Sequence, residues 1–453
     1  KIDQDSLLMP GEGWTMKGTS GSAAVESNQN YVFKGLPYNG DFTLPLDKTY
    51  KTPGDKNRLI GNPYPSAMDA SEFILDNLSI ADGGYNTTGT VINGALYFWN
   101  HFGLVNSHKL GDYVGGYATY NLIGGAKAVT KNWASYAKSV PGPPPPPADK
   151  IPGPYIPVNQ GFFVSTALDV DINGDPIVDG NGVPLGSIAG GDIVFKNSQR
   201  VYVTEETLAS VFIKYNKTKD TDQTININTT PIIRLMYDSP EGYHRQLAIG
   251  ADKDASNGFD IGYDAFMADV NKEDMYWTFG NAKFVIQGVR DFNDSEEFPL
   301  GLVVRTGGTV SIKIDATENL DSSLPIYIKD TSTGATVQIN NQPFQTVLAP
   351  GTYNDRFQLV FKASQESALS VKDINLDTNV SIYYRSDSSN LTITISSDAI
   401  VSGGTILNLV GQRIAGINGF TKRLSMPLHV SSGVYIVQLK TDRGLINKKV
   451  IID

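Results

Sequence analysis

The sequence predicts an all-β fold of consecutive β-sandwich domains that ends in a small immunoglobulin-like sandwich. Three observations predict it. The 453 residues include 45 glycines and 24 prolines, only 19% of residues are charged, and short aromatic or alternating apolar runs are separated by turn residues. This mixture is typical of many short strands joined by turns rather than of long helices. Because 40% of the residues are hydrophobic, each domain can bury a core.

Residues 1–220 form the first predicted domain, which is rich in aromatic residues and glycine. Short apolar runs bounded by turn residues predict strands, here at residues 31–35, 95–99, 161–164 and 193–195. A short helix is predicted over residues 66–74, with Ser66 or Asp69 as its cap. Residues 141–154 contain five consecutive prolines and predict an extended polyproline loop within this domain, with a domain linker as the alternative.

Two further domains are predicted at residues 221–372 and 380–453. The first shows longer alternating strands, as at residues 232–237 and 282–287, and fits an antiparallel, jelly-roll-like sandwich. The second holds about seven candidate strands, the strand number of a small immunoglobulin-like sandwich. It contains eight basic and four acidic residues, a net charge of plus 4, whereas the whole chain carries minus 10. This asymmetry indicates a unit with its own partner, and a solvated basic strand face is the alternative.

Composition excludes several classes of function. The chain has no cysteine, which excludes disulfides, thiolate zinc sites and cysteine nucleophiles. Its acidic balance lacks the positive footprint of a nucleic-acid-binding protein. No serine-hydrolase elbow or phosphate-binding loop is present, so no catalytic residue is assigned and no enzyme is predicted. The sequence opens at Lys1 without methionine or a signal-peptide core, so we expect a processed product or a fragment.

One segment has the spacing of a calcium loop. Carboxylate and amide oxygens recur at alternate positions, at Asp169, Asp171, Asn173 and Asp175. Gly174 permits the sharp turn that lets such oxygens converge. Position twelve of the loop is Gly180 instead of glutamate, so Asp179 or a distant carboxylate would have to complete the site. Calcium is therefore the one possible cofactor, and a solvated Asp- and Gly-rich hairpin turn is the alternative.

The last 74 residues resemble the type A C-terminal sorting domain of the type IX secretion system. The resemblance rests on the order and spacing of a Gly-Gln-Arg turn, a Gly-Val-Tyr strand and a terminal Lys-Lys-Val strand. Alternation places Tyr435, Val437 and Leu439 on one strand face and Ile436, Gln438 and Lys440 on the other. The residues that carry the resemblance are Gly411, Gly433, Tyr435, Val437, Gly444, Lys448, Lys449, Val450 and Ile452.

This resemblance implies a secreted or cell-surface protein associated with the outer membrane. Its implied partners are an outer-membrane shuttle protein, the translocon and a sortase-like peptidase that cleaves in the linker, around residues 372–380. Residues 11–18, 59–66, 96–101 and 159–164 resemble modules of large surface proteins that use this route, and the resemblance continues at residues 299–301, 326–330 and 355–357. It implies an adhesin-like or scaffold role upstream.

The alternative is a carbohydrate-binding or carbohydrate-active extracellular protein with a surface glycan as partner. Aromatic rings that stack on sugar faces would serve it. The candidates are Tyr64, Tyr97, Phe98 and Trp99. Core packing is the competing interpretation of all four rings, and it is the one that the aromatic composition favours.

Overall fold

A computed structural model describes most of the chain. The described residues are 9–15, 36–46, 57–101, 115–131, 150–166, 177, 191–203, 229–280, 282–363, 380–386, 389–395, 400–408, 412–441 and 444–452. The chain divides into two compact units, residues 1–363 and 364–453. Among the described residues, no helix has the length and hydropathy to cross a membrane. The predicted boundary near residue 220 stays a prediction, because residues 204–228 lie outside the described ranges.

The described residues of the first part of unit 1 form short strands, the α-helix α1 (Ala70–Asp76) and short 3-10 helices at Ile80–Asp82 and Asn197–Gln199. Its strands are β1 (Phe42–Leu44), β2 (Asn57–Gly61), β3 (Ala67–Asp69), β4 (Ile92–His101), β5 (Gly115–Tyr120), β6 (Gly125–Ala126), β7 (Thr130–Lys131), β8 (Tyr155–Ile156), β9 (Gly161–Thr166), β10 (Ile193–Phe195) and β11 (Arg200–Val201). They form a five-stranded sheet in the order β2-β9-β4-β5-β6, a three-stranded sheet β11-β3-β8 and the pair β1-β10. Three predicted strands are thereby confirmed, and residues 31–35 lie outside the described ranges.

The predicted helix is present but begins later than the sequence indicated. Of the two candidate caps, Asp69 is the one used, since its Oδ1 accepts the backbone N–H groups of Ser71 (2.9 Å) and Glu72 (3.1 Å). The prediction of helix from residue 66 was wrong, because residues 67–69 form β3 and pair with both β8 and β11. Phe73 and Ile74 of the helix are buried in the core.

The second part of unit 1 is dominated by one large sheet. Its strands are β12 (Ile232–Asp238), β13 (Tyr243–Ala251), β14 (Ala265–Phe266), β15 (Asp274–Phe279), β16 (Ala282–Val289), β17 (Glu297–Val304), β18 (Gly308–Glu318), β19 (Tyr327–Asp330), β20 (Ala335–Gln338), β21 (Phe344–Leu348) and β22 (Gly351–Val360). The order is β20-β19-β22-β17-β15-β16-β13-β12-β18-β21, with β14 added on β16 and β7 on β13. The predicted strands at 232–237 and 282–287 lie within β12 and β16.

The five-stranded sheet lies between two cores of unit 1. Alternate residues of β4 face opposite ways, so Leu96 and Phe98 pack with Phe73 of α1, whereas Ala95 and Tyr97 join the core of the large sheet. That larger core includes the fully buried Trp277, whose indole N–H donates to the carbonyl of Ala248 at 2.8 Å. The first and second parts therefore share apolar layers within one compact unit.

Unit 2 is a small sandwich of two sheets with a core of its own. Its strands are β23 (Val380–Arg385), β24 (Asn390–Ile395), β25 (Val401–Asn408), β26 (Arg413–Phe420), β27 (Arg423–Pro427), β28 (Gly433–Thr441) and β29 (Gly444–Ile452). The sheets have the orders β23-β24-β27 and β26-β25-β28-β29. Leu391, Ile393, Ile406, Val437 and Leu439 are among the buried residues between them. The predicted all-β fold ending in a small immunoglobulin-like sandwich is confirmed.

Candidate functional site

The terminal hairpin of unit 2 brings most of the predicted sorting residues together. Strands β28 and β29 pair antiparallel along their whole length. Three pairs of sorting residues lie opposite each other in this register, namely Gly433 with Ile452, Tyr435 with Val450, and Val437 with Lys448. The sorting residues of the two strands are thereby brought together in one hairpin. Gly411 lies outside the described residues.

The two faces of this hairpin differ as the alternation predicted. On the inner face Tyr435, Val437 and Leu439 are buried, together with Val450 and Ile452 of the last strand. On the outer face of the last strand, Lys449 is exposed and Ile451 is 60% exposed. The inner residues stabilise the sandwich, and Lys449 and Ile451 on the outer face of β29 are accessible to solvent.

Strand β29 is an edge strand of its sheet. It pairs with β28 on one side, and the described residues provide no partner strand on the other. Natural edge strands carry lysine to discourage uncontrolled pairing, and Lys448 and Lys449 lie here. The edge is therefore a polar, basic border next to an exposed apolar side chain.

Two tyrosine hydroxyls fix the segment that leads into the terminal hairpin. Tyr435 donates to the carbonyl of Ser431, and Tyr384 donates to the carbonyl of Leu428, both at 2.9 Å. A hydrogen-bonded tyrosine combines an apolar ring with a polar end that orders a nearby loop. The entry to β28 is held from both sheets of the sandwich.

The calcium prediction is untested by this structure. Asp169, Asp171, Asn173 and Asp175 all lie outside the described residues. Within the described ranges, no group of three or more His, Asp or Glu side chains is placed to hold a metal ion. Calcium at residues 169–175 stays a prediction.

Three of the four aromatic candidates serve the core. Tyr64, Tyr97 and Phe98 are buried, which confirms the core-packing interpretation for them. Trp99 is 48% exposed and meets the ring of Tyr117 edge to face, with 5.2 Å between centroids. These four rings do not form an exposed row of the kind that binds an extended glycan.

Three of the upstream segments that resemble surface-protein modules, residues 11–18, 59–66 and 159–164, meet in space. Gly61 donates its backbone N–H to Gly11 (3.0 Å), and Asn62 donates its backbone N–H to Gln160 (3.1 Å). Around these bonds is a cleft of about 330 Å³ that Glu12 and Trp14 also line. Adding a Cβ at Gly13 would bring it within 2.8 Å of the backbone of Ile60, so glycine is required by close packing. The motifs therefore act together in building one corner of unit 1.

A second and larger cleft of unit 1, of about 660 Å³, was missed by the sequence analysis. Its polar walls come from Asp69, Ser71, Tyr120, Arg234 and Glu318. The Ser71 and Tyr120 hydroxyls are 3.0 Å apart, and the Arg234 side chain is 2% exposed. Burial raises the pKa of Asp69 above its ordinary value, although the two amides that it caps oppose this shift.

Arg234 connects two walls of this cleft through hydrogen bonds. Its Nε and Nη2 lie 3.0 and 2.9 Å from Oε1 of Glu318, and its Nη1 donates to the carbonyl oxygen of Gly125. Only the fold places these residues side by side, since they come from β6, β12 and the end of β18. The one signal available in the sequence was an arginine within an apolar strand, Ile232-Ile233-Arg234-Leu235, because an arginine that becomes buried needs a partner.

A different buried cluster is structural. Arg245 donates to both oxygens of Asp274, at 2.7 and 2.8 Å, and also contacts Asp269. Burial lowers the pKa of Arg245, but the two carboxylates outweigh it, so that the pKa lies above its ordinary value. These three side chains pair with one another beside the large sheet, which gives them a structural role.

Comparison with known proteins places the first unit in a family. A family model described as a domain of unknown function, DUF8693, matches residues 2–361. The chain belongs to the DUF8693 family. The matched segment ends close to the boundary of unit 1 at Ala363, so this compact unit is the DUF8693 domain and unit 2 lies outside it.

Among solved structures, the chain is similar to one titled "Biofilm associated protein - BSP domain", with 9% identity and a TM-score of 0.14. The match covers 90% of this chain and 61% of that one. At this TM-score the similarity carries no argument about fold or function. The comparison with curated proteins gives no match.

Proposed function

We propose that this chain is a secreted or cell-surface protein exported through the type IX secretion system, with residues 380–453 as its export signal. The register of the terminal hairpin carries the proposal. Tyr435 with Val450 and Val437 with Lys448 are cross-strand pairs, so the fold brings the motif residues of both strands together in one hairpin. A folded signal of this kind requires its own core, and unit 2 has one.

The same hairpin suggests how the signal is read. Lys449 and Ile451 project from the outer face of the edge strand and combine a positive charge with an exposed apolar side chain. A partner that contacts an edge strand gains affinity from backbone pairing and specificity from alternate side chains. We assign this surface to the outer-membrane shuttle and translocon, with removal by a sortase-like peptidase in residues 372–380. For unit 1, the adhesin-like or scaffold role stays a prediction from the sequence.

Export of full-length variants from a bacterium with a type IX system tests the proposal. Deletion of residues 380–453 is expected to abolish display at the cell surface. The double variant Lys449→Glu/Ile451→Glu, which changes only exposed positions of β29, is expected to reduce display strongly while the chain stays folded. Protease accessibility on intact cells measures display.

A matched control uses the same residue types at the other side of unit 2. Ile414 on β26 and Lys422 after that strand are also exposed. The double variant Ile414→Glu/Lys422→Glu is expected to reach the surface normally. Normal display of the deletion variant would refute the export proposal, and equal loss in both double variants would refute β29 as the surface that is read.

A further inference from the structure

The charge of the cleft beside Arg234 argues against an anionic ligand. Arg234 is buried, but its Nε and Nη2 both contact the Glu318 carboxylate, whose negative charge balances the charge of the guanidinium. Asp69 adds a further carboxylate to the lining. A phosphate or a uronic acid would find no unpaired positive group among the lining residues. It would also be repelled by the excess of negative charge in the cleft.

The hydrogen-bonding groups of the cleft favour a ligand with many hydroxyls. Asp69 uses Oδ1 for both helix amides, and Glu318 uses Oε1 for both Arg234 nitrogens, so Oδ2 and Oε2 accept no further bond from the described residues. The Ser71 and Tyr120 hydroxyls bond each other through one hydrogen, which leaves the other hydrogen for a ligand. The cleft therefore offers several acceptors and one donor.

Apolar and rigid walls complete the cleft. Leu122, Ile151 and Pro154 line it beside the polar groups and can cover the C–H faces of a sugar ring. The wall at Gly125 is closely packed, because a Cβ there would lie 2.1 Å from the carbonyl oxygen of Pro152. Arg234 also holds this wall through the Gly125 carbonyl, so the cleft is formed before any ligand arrives.

We propose that this cleft binds a neutral saccharide. Sugar hydroxyls donate to the carboxylates of Asp69 and Glu318 and accept from the Ser71–Tyr120 hydroxyl pair, while Leu122 and Ile151 contact the ring carbons. The volume of about 660 Å³ lies within the usual range of small-molecule sites. This site is in unit 1 and is independent of the export signal in unit 2.

Titration calorimetry on the full chain tests this site. The probes are neutral trisaccharides of glucose, mannose, galactose, xylose and N-acetylglucosamine, with trigalacturonate and inorganic phosphate as anionic comparisons. At least one neutral trisaccharide is expected to bind. Tyr120→Phe and Glu318→Gln are each expected to weaken that binding about tenfold, the effect of losing one hydrogen bond to a ligand.

Glu72→Gln is the matched control, because Glu72 is exposed beside Ser71 and does not line the cleft. It is expected to leave the affinity unchanged. Thermal melting establishes that each variant is folded. In Glu318→Gln the amide oxygen can replace Oε1 as the acceptor for Arg234, so this variant keeps the test available if Tyr120→Phe does not fold. The proposal is overturned if none of the neutral trisaccharides binds, if both cleft variants bind like the wild type, or if an anionic probe binds more tightly than every neutral one.

Discussion

Replacing Ile446 by alanine is expected to destabilise unit 2 selectively. Ile446 is 3% exposed, lies opposite Leu439 in the terminal hairpin and belongs to the core of the sandwich. The substitution removes three carbons, worth about 2.4 kcal/mol in transfer free energy. The cavity left behind adds to this value, so the expected loss is about 3–4 kcal/mol.

Such a loss is large for a unit of this size. A domain of residues 364–453 has a free energy of unfolding of roughly 5–14 kcal/mol. Each kcal/mol shifts the melting temperature of a small domain by about 4–8 °C, which predicts a fall of roughly 12–30 °C. Because the affected core belongs to unit 2, the melting of unit 1 is expected to stay unchanged.

Hydrogen exchange of the full chain measures the effect on the peptides that cover residues 433–452. Ile451→Ala is the matched control, since it changes the same residue type on the same strand at a position that is 60% exposed. We expect a change within about 0.5 kcal/mol for the control. Equal protection loss in the two variants would contradict the assignment of Ile446 to the core, and so would unchanged protection in Ile446→Ala.

Three further predictions concern unit 1. Gly301→Ala places a Cβ 2.1 Å from the buried ring of Tyr276, and urea denaturation is expected to show a loss of about 1–3 kcal/mol. Burial raises the pKa of Glu273, but its hydrogen bonds outweigh this effect and hold the pKa below its ordinary value. Glu273→Gln should therefore destabilise at pH 7, and the difference from wild type should vanish as the pH falls below about 4 and through the folded-state pKa. Arg245→Met leaves Asp274 as an unpaired buried carboxylate and should cost about 3–5 kcal/mol in the same denaturation assay; a cost under 1 kcal/mol would contradict the pairing.

Local sequence patterns predicted the strands but not every boundary. The run at residues 193–195 is short, apolar and flanked by polar residues, and it forms β10 with those bounds. Residues 66–69 carry two cap residues after a proline, so local signals favoured a helix there. The pairing of β3 with β8 and β11 depends on residues about 90 and 130 positions away, which no local pattern contains.

The two candidate sites also differ in how far the sequence alone predicts them. The terminal hairpin was predictable because period-two alternation assigns Tyr435 and Val437 to one face whatever the rest of the fold does. The cleft was not, because Tyr120 reads as a core aromatic and Arg234 as a polar strand position. Glu318 lies 84 residues beyond Arg234, and only the pairing of β12 with β18 brings them together.

Transplanting unit 2 onto a reporter is the most direct test of the export signal. A fluorescent protein with its own signal for crossing the inner membrane is fused to residues 364–453 and expressed in a bacterium with a type IX system. The account predicts reporter at the cell surface in the wild-type host and retention inside cells that lack the translocon. Retention in both hosts, or surface display in both, would contradict it.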